Sequence, residues 1–155
     1  MSLVPVNPFP SPSSARSFVS GLAASTERTR VAYFRDPDSD HLHASVWFGP
    51  QAEGPPGSVH GGAIAAVLDE AMGAVCWLNG HPVVGARITI NYRNLTPLGF
   101  SGRVESWIEA IAGRKISLKS ALTDMDGKVH AEGEALFIEM LPEMKQAFDA
   151  ARSTR

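Results

Sequence analysis

Val59-His60-Gly61-Gly62-Ala63-Ile64-Ala65-Ala66-Val67-Leu68-Asp69-Glu70-Ala71-Met72-Gly73 decides the reading of this chain: a glycine pair opens a nearly all-apolar helix carrying two adjacent carboxylates. Apolar residues continue through Ala74, Val75, Cys76, Trp77 and Leu78 and cover the whole circumference rather than one stripe, so the helix is expected to be wrapped by other structure. A carboxylate inside such packing has to be paired, protonated or chemically used, because burying an unpaired charge is costly. Asp69 is the first residue this argument singles out.

Outward from the helix the pattern changes to strands. Val84, Ala86, Ile88, Ile90 and Tyr92 alternate with Gly85, Arg87, Thr89 and Asn91, the period of a half-buried strand. Arg103 to Ala112 and Arg114 to Thr123 follow, joined at Gly113, and the Asp126-Gly127 turn leads into Lys128 to Met140. Pro142 opens a short helix reaching about Ala151. Before the central helix, Val31 to Phe34 and His43 to Phe48 read as strands around an Asp36-Pro37-Asp38 turn, and Gln51 to Ser58 is a Gly/Pro loop. Phe18, Val19 and Leu22 have helical spacing within Ala15 to Ala24. Residues 1–14 are rich in Pro and Ser and read as a flexible tail, leaving 15–155 as one domain.

The order of elements implies a largely antiparallel sheet curled around one helix, with an edge or open face that a second copy could cover. A dimer is therefore expected. The chain has 155 residues, 44% of them hydrophobic, and a formal net charge of -2, which points away from disorder and from nucleic acid and towards small-molecule or protein partners. One cysteine, Cys76, allows neither an internal disulfide nor a cysteine-based zinc site, and His41, His43, His81 and His130 are too scattered for a metal centre. With no secretory signal and no segment read as bilayer-spanning, a cytoplasmic protein without membrane contact is expected.

The chemistry starts at the helix mouth. Backbone N–H groups at Gly61-Gly62 lack intrahelical partners and sit at the positive end of the helix dipole, where they can hold an oxyanion. A glycine pair that merely turns the chain is the commoner case when nothing else supports it. Asp69 lies nine residues after His60, on the order of 10 Å from that mouth. One carbonyl cannot touch both, whereas in a two-fold dimer Asp69 of one chain can stand beside the Gly61-Gly62 mouth of the other. Glu70, rotated roughly 100° from Asp69, is expected to pair structurally with an Arg or His or to reach an exposed seam.

His60-Gly61-Gly62-Ala63-Ile64-Ala65, with Asp69 at the ninth position after the histidine, resembles the hotdog-fold acyl-CoA thioesterases, most closely the PaaI-like branch and the mammalian thioesterase superfamily members of that type. The likeness runs clearly from Val59 to Pro97, through Ile90-Asn91-Tyr92-Arg93 and Thr96-Pro97-Leu98-Gly99, and more loosely to Met140. It implies an α+β hotdog fold with a curved antiparallel sheet of five to six strands around one long central helix. It also implies a homodimer, often paired into a homotetramer, that hydrolyses a fatty or aromatic acyl-CoA with no cofactor beyond the CoA of the substrate. In such an enzyme Asp69 is general base or nucleophile, the N–H of Gly61 or Gly62 polarises the thioester carbonyl, and His60 shapes the mouth.

Gly85 departs from the pattern: several relatives carry Ser or Thr there, whose hydroxyl is thought to help place the attacking water. Thr89 or Asn91 could replace it from the same strand face, turnover could be slower, or Asp69 could attack directly. CoA phosphates need basic groups, and Arg93, Arg114 and Lys115 are candidates. The resemblance places Arg114-Lys115-Ile116 among pantetheine- and nucleotide-facing residues, although any one cation at a strand start is more often simply solvated. Acyl preference would depend on pocket depth set by residues such as Trp77, Leu78, Phe100 and Trp107. Two other activities stay open on the same fold: an enoyl-CoA hydratase or dehydratase using His60, and an acyl-CoA-binding module without turnover.

Overall fold

The computed structural model describes residues 2–8, 18–19 and 27–153. Its elements are β1 (Val4–Pro5), β2 (Thr29–Arg35), β3 (Leu42–Phe48), α1 (Gly61–Leu78), β4 (Val83–Tyr92), β5 (Ser101–Ala112), β6 (Lys115–Thr123), β7 (Val129–Glu139) and α2 (Pro142–Ser153). The strands form one seven-stranded antiparallel sheet in the order β1-β2-β3-β5-β6-β7-β4.

Alternation along the strands builds the concave face. Leu42, Ala44, Val46 and Phe48 of β3 and Ile116, Leu118, Ser120 and Leu122 of β6 turn inward, and α1 lies across them with Ile64, Val67, Leu68, Ala71, Met72 and Val75 buried. Turn chemistry sets the register. Asp36 Oδ1 accepts the Asp38 N–H at 3.0 Å between β2 and β3, and Asp124 Oδ1 accepts the Asp126 and Lys128 N–H groups, both at 2.9 Å, before β7. The β5–β6 and β6–β7 turns each place a glycine in the left-handed region, Gly113 at φ 62° and Gly127 at φ 87°.

The hotdog arrangement expected from the resemblance is thus present, with seven strands instead of five or six. The additional strand is β1: part of the expected tail pairs with β2, Val4 opposite Arg35 and Pro5 opposite Phe34, and the Val6 N–H donates to the Tyr33 carbonyl at 3.0 Å. The helix expected over residues 15–24 lies almost wholly outside the described residues.

Three other expectations are corrected. The helix α1 is not wrapped all round: Gly62, Ala65, Ala66, Asp69 and Gly73 form a stripe along an open cleft. Counting apolar residues missed this, because glycine and alanine are equally at home on a buried face and on an open one. The strand β4 is not half-buried either; Val84 to Thr89 are exposed on both faces, since β4 ends the sheet beyond β7. Finally, α1 is an 18-residue apolar helix that could by length and composition span a bilayer, but here it is the core helix of the sheet.

Candidate active site

The helix mouth is assembled from three segments. A short 3-10 turn at Pro50–Ala52 leads to an isolated bridge between Glu53 and Val59, a second bridge joins Ser58 to Pro97, and the Val59 N–H donates to the Thr96 carbonyl at 2.7 Å. Thr96 is itself fixed from β7, its Oγ1 lying 3.1 Å from Nδ1 of the buried His130. The loop before His60 packs so closely that a Cβ on Gly54 would meet the His60 Cα at 2.6 Å. Gly54→Ala must therefore displace the backbone at the mouth. Because misplacing reacting groups by about 1 Å can cost 10²-fold, any turnover carried by this mouth is expected to fall about 10- to 100-fold in that variant, to be read by steady-state kinetics.

His60 caps α1. Its Nδ1 accepts the Gly62 N–H at 2.8 Å, and its carbonyl accepts Ala63 N–H at 3.0 Å and Ile64 N–H at 3.3 Å. An acceptor Nδ1 fixes the neutral ring with its proton on Nε2. Of the two glycine donors expected at the mouth, Gly62 is thus engaged within the chain, and the Gly61 N–H carries no hydrogen bond among the described residues. Gly61 is the donor left for an oxyanion. On its other side, the Tyr92 hydroxyl of β4 donates to the Gly61 carbonyl at 2.7 Å.

Asp69 lies two turns further along α1 in a cleft of about 770 Å³ lined also by Gly62, Ala65, Gly85, Ile88 and Phe137. It is exposed to that cleft rather than buried in the helix packing, which corrects the expectation of a carboxylate enclosed on every side. Partial desolvation against the helix and sheet, and then the Glu70 charge, push its carboxyl above the usual aspartate range. Glu70 has the structural role expected of it, with different donors: Oε1 accepts the Tyr33 hydroxyl at 2.6 Å and Oε2 the Val19 N–H at 3.1 Å. Burial, followed by this carboxylate, holds the Tyr33 phenol far above its ordinary range.

The cleft therefore brings Gly62, Asp69 and Gly85 together, with His60 and Gly61 at the adjoining mouth. A Cβ on Gly85 would rest 3.5 Å from the Phe137 ring, an ordinary contact, so this departure is not forced by crowding. Neither Thr89 nor Asn91 stands in for a hydroxyl there. The bulge between Gly85 and Arg87 breaks the alternation, and Thr89 lines a groove with Lys119 and Glu134 instead.

The proposed CoA-binding residues lie apart from the lining of this cleft. Arg93 pairs with Glu132 at 2.9 Å, and Arg114 Nε donates to the Glu139 carbonyl at 3.0 Å beside the exposed Lys115. Ile116 is 0% exposed in the core and is corrected as a substrate contact: β6 alternation points it at α1. Of the aromatic residues expected to set pocket depth, Phe100 is buried beside Phe48 and His130, Trp107 stacks on His41, and Trp77 packs against Phe148. None of these three lines the Asp69 cleft, whose large apolar side chains are Phe137 and Ile88. Sequence reasoning missed Phe137 and the contact of Tyr92 with Gly61, since both read only as regular strand positions.

Comparisons with known proteins agree with this fold. The family model described as "Thioesterase superfamily" matches residues 56–131, which contain the helix mouth, Asp69 and Gly85. An acyl-coenzyme A thioesterase THEM4 of Xenopus laevis is 39% identical over 95 residues, covering 61% of this chain and 43% of that protein. The THEM4 of Bos taurus is 34% identical over 111 residues, covering 71% of this chain and 46% of that protein. The chain thus spans under half the length of these curated relatives. Among solved structures, a thioesterase superfamily protein matches with a TM-score of 0.67 at 28% identity, over 70% of this chain and 53% of its own. Two matches share the fold at lower identity. The PaaI protein of E. coli has a TM-score of 0.65 at 13%, covering 73% of this chain and 80% of its own. A Streptococcus pneumoniae thioesterase protein solved with coenzyme A has 0.67 at 15%, covering 72% of this chain and 86% of its own.

Proposed function

We propose that this chain, which carries a hotdog domain of the thioesterase superfamily, hydrolyses acyl-CoA thioesters to the free acid and CoA at sites shared between two copies of itself. The observation that carries this reading is the pairing of an unengaged Gly61 N–H at a helix mouth with a cleft carboxylate, Asp69, eight residues further on. The relatives named as acyl-coenzyme A thioesterases support the substrate class.

The thioester carbonyl oxygen would accept from the Gly61 N–H, whose peptide is polarised by the two N–H groups bonded to the His60 carbonyl. Asp69 would take a proton from water as that water attacks the carbonyl carbon, or would itself attack to form an anhydride that water then opens. In either route the C–S bond breaks, and CoA leaves as the thiol. Eight residues of helix separate the donor from the base by about 12 Å. One carbonyl reaches both only when the partner's α1 runs antiparallel across the open stripe. The exposed edge of β4, with Val84, Ile88 and Tyr92 on it, offers the surface for such pairing. The notion of a further pairing into tetramers and of a cytoplasmic site of action belongs to the same proposal.

Thiol release from a panel of short, medium, long and aromatic acyl-CoAs, followed with a thiol-reactive dye, tests the activity. Hydrolysis should rise with pH through the Asp69 ionisation and level off once it is complete. Because that carboxyl is held above its ordinary value, activity is expected to be lost on acidification at a higher pH than an unperturbed aspartate of about 3.9 would give. A profile with no acidic limb would contradict the role of Asp69. Hydration of a crotonyl-type thioester without thiol release would instead favour a hydratase.

A further inference from the structure

We infer that Tyr92 is a positioning residue for the oxyanion donor, its hydroxyl locking the Gly61-Gly62 peptide so that the Gly61 N–H faces the substrate carbonyl. The inference deepens the hydrolytic reading above and rests on it. Two consecutive glycines have the least restricted backbone of any residue pair, and an oxyanion hole contributes most when its donors are already in place. A hole built on Gly61-Gly62 therefore needs something to hold it.

The Gly61-Gly62 peptide is held at both edges. Its carbonyl accepts the Tyr92 hydroxyl at 2.7 Å, and its N–H is given to His60 Nδ1 at 2.8 Å. The preceding peptide, which carries the Gly61 N–H, is anchored through the His60 carbonyl to Ala63 and Ile64, so the donor lies in one held plane and adjoins another. The phenol ring also covers Gly61: a Cβ added there would lie 3.2 Å from Tyr92 Cζ and from its hydroxyl oxygen. Within one chain Tyr92 is 53% exposed, on the β4 edge offered for pairing with a second copy, so the contact with Gly61 is made without help from the core of its own domain. What it supplies is a hydroxyl at the carbonyl of the very residue that carries the donor. The effect runs through the backbone, without contact between Tyr92 and the reacting atoms.

Tyr92→Phe keeps the ring and removes that one hydrogen bond. The expected result is a kcat lower by about three- to tenfold with KM changed by less than about twofold, as a single hydrogen bond used in the transition state would give. The thermal midpoint should stay at the wild-type value. A ketone analogue of the substrate, with a methylene in place of sulfur, supplies a readout that a merely structural role would not move. Its bound carbonyl stretch should lie at higher frequency in Tyr92→Phe than in wild type, because the donor is less well aimed. Unchanged kcat, or lowered kcat with an unshifted stretch, overturns the inference while leaving the hydrolytic reading intact. A wild type that binds the analogue but turns over no thioester sinks the hydrolytic reading, and the stretch then decides the placement of the donor by itself. A wild type that neither binds nor hydrolyses overturns both.

Discussion

Asp69→Asn is expected to lower thioester turnover by about 10²- to 10⁴-fold, the range that a positioned general base contributes, and to leave the protein folded. The substitution keeps the size and shape of a side chain that is exposed on the lining of an open cleft. Its effect on stability has a definite sign. A carboxyl whose folded value is raised above the unfolded one binds its proton more tightly in the folded state, so stability falls as pH rises from the ordinary aspartate value through the raised one. That cost falls on wild type as the carboxyl ionises and is absent from the asparagine variant. Thermal melting at pH 7 should therefore show the variant at or above the wild-type midpoint, with the difference shrinking in acid. Unchanged turnover would remove Asp69 from the mechanism; lost turnover with a lower midpoint would make its role structural.

Ile88→Asp is expected to abolish dimerisation and, with it, hydrolysis. The residue sits near the middle of β4, 39% exposed on a strand that ends the sheet. A charge on such an edge opposes pairing with another strand, which is how monomeric proteins keep their edges apart. Because Ile88 also lines the Asp69 cleft, the loss of activity alone carries little, and sedimentation is the deciding measurement. A variant that still sediments as wild type would show that β4 is not the interface; a wild type that sediments as a fully active monomer would remove the need for a partner.

Much of this was legible in the chain itself. Period-two patterning, Gly113 and the Asp126-Gly127 turn located β5, β6 and β7 to within about two residues, because side-chain alternation and left-handed turns are local properties. The histidine, glycine pair and aspartate follow one another along α1 at the expected spacing, since helix spacing converts directly into position along the axis, although Asp69 faces an open cleft and not the enclosed packing expected. What was not legible depends on which face meets what. The open stripe on α1 and the bare faces of β4 follow from strand order, and β4 is last in the sheet although three strands follow it in sequence. Ile116 looked like part of a basic, ligand-facing run, yet its parity on β6 sends it to the core. One bulged residue near Gly85 likewise moved Thr89 off the face where a replacement hydroxyl was sought. The division of labour between the two glycines rests on a histidine ring that reaches forward only two residues, a contact without any pattern in sequence.

The claim on which the mechanism turns is that each site takes its donor from one chain and its base from another. Co-expression of Asp69→Ala with Gly61→Val tests it most directly, with each variant also measured alone. In a mixed dimer one site holds an intact mouth and an intact Asp69, and the other holds both defects. Random pairing makes half the dimers mixed, so about a quarter of wild-type activity should return from two nearly inactive parents. Activity no greater than the sum of the parents, in a sample shown to contain mixed dimers, would place both groups of a site in one chain and contradict the account.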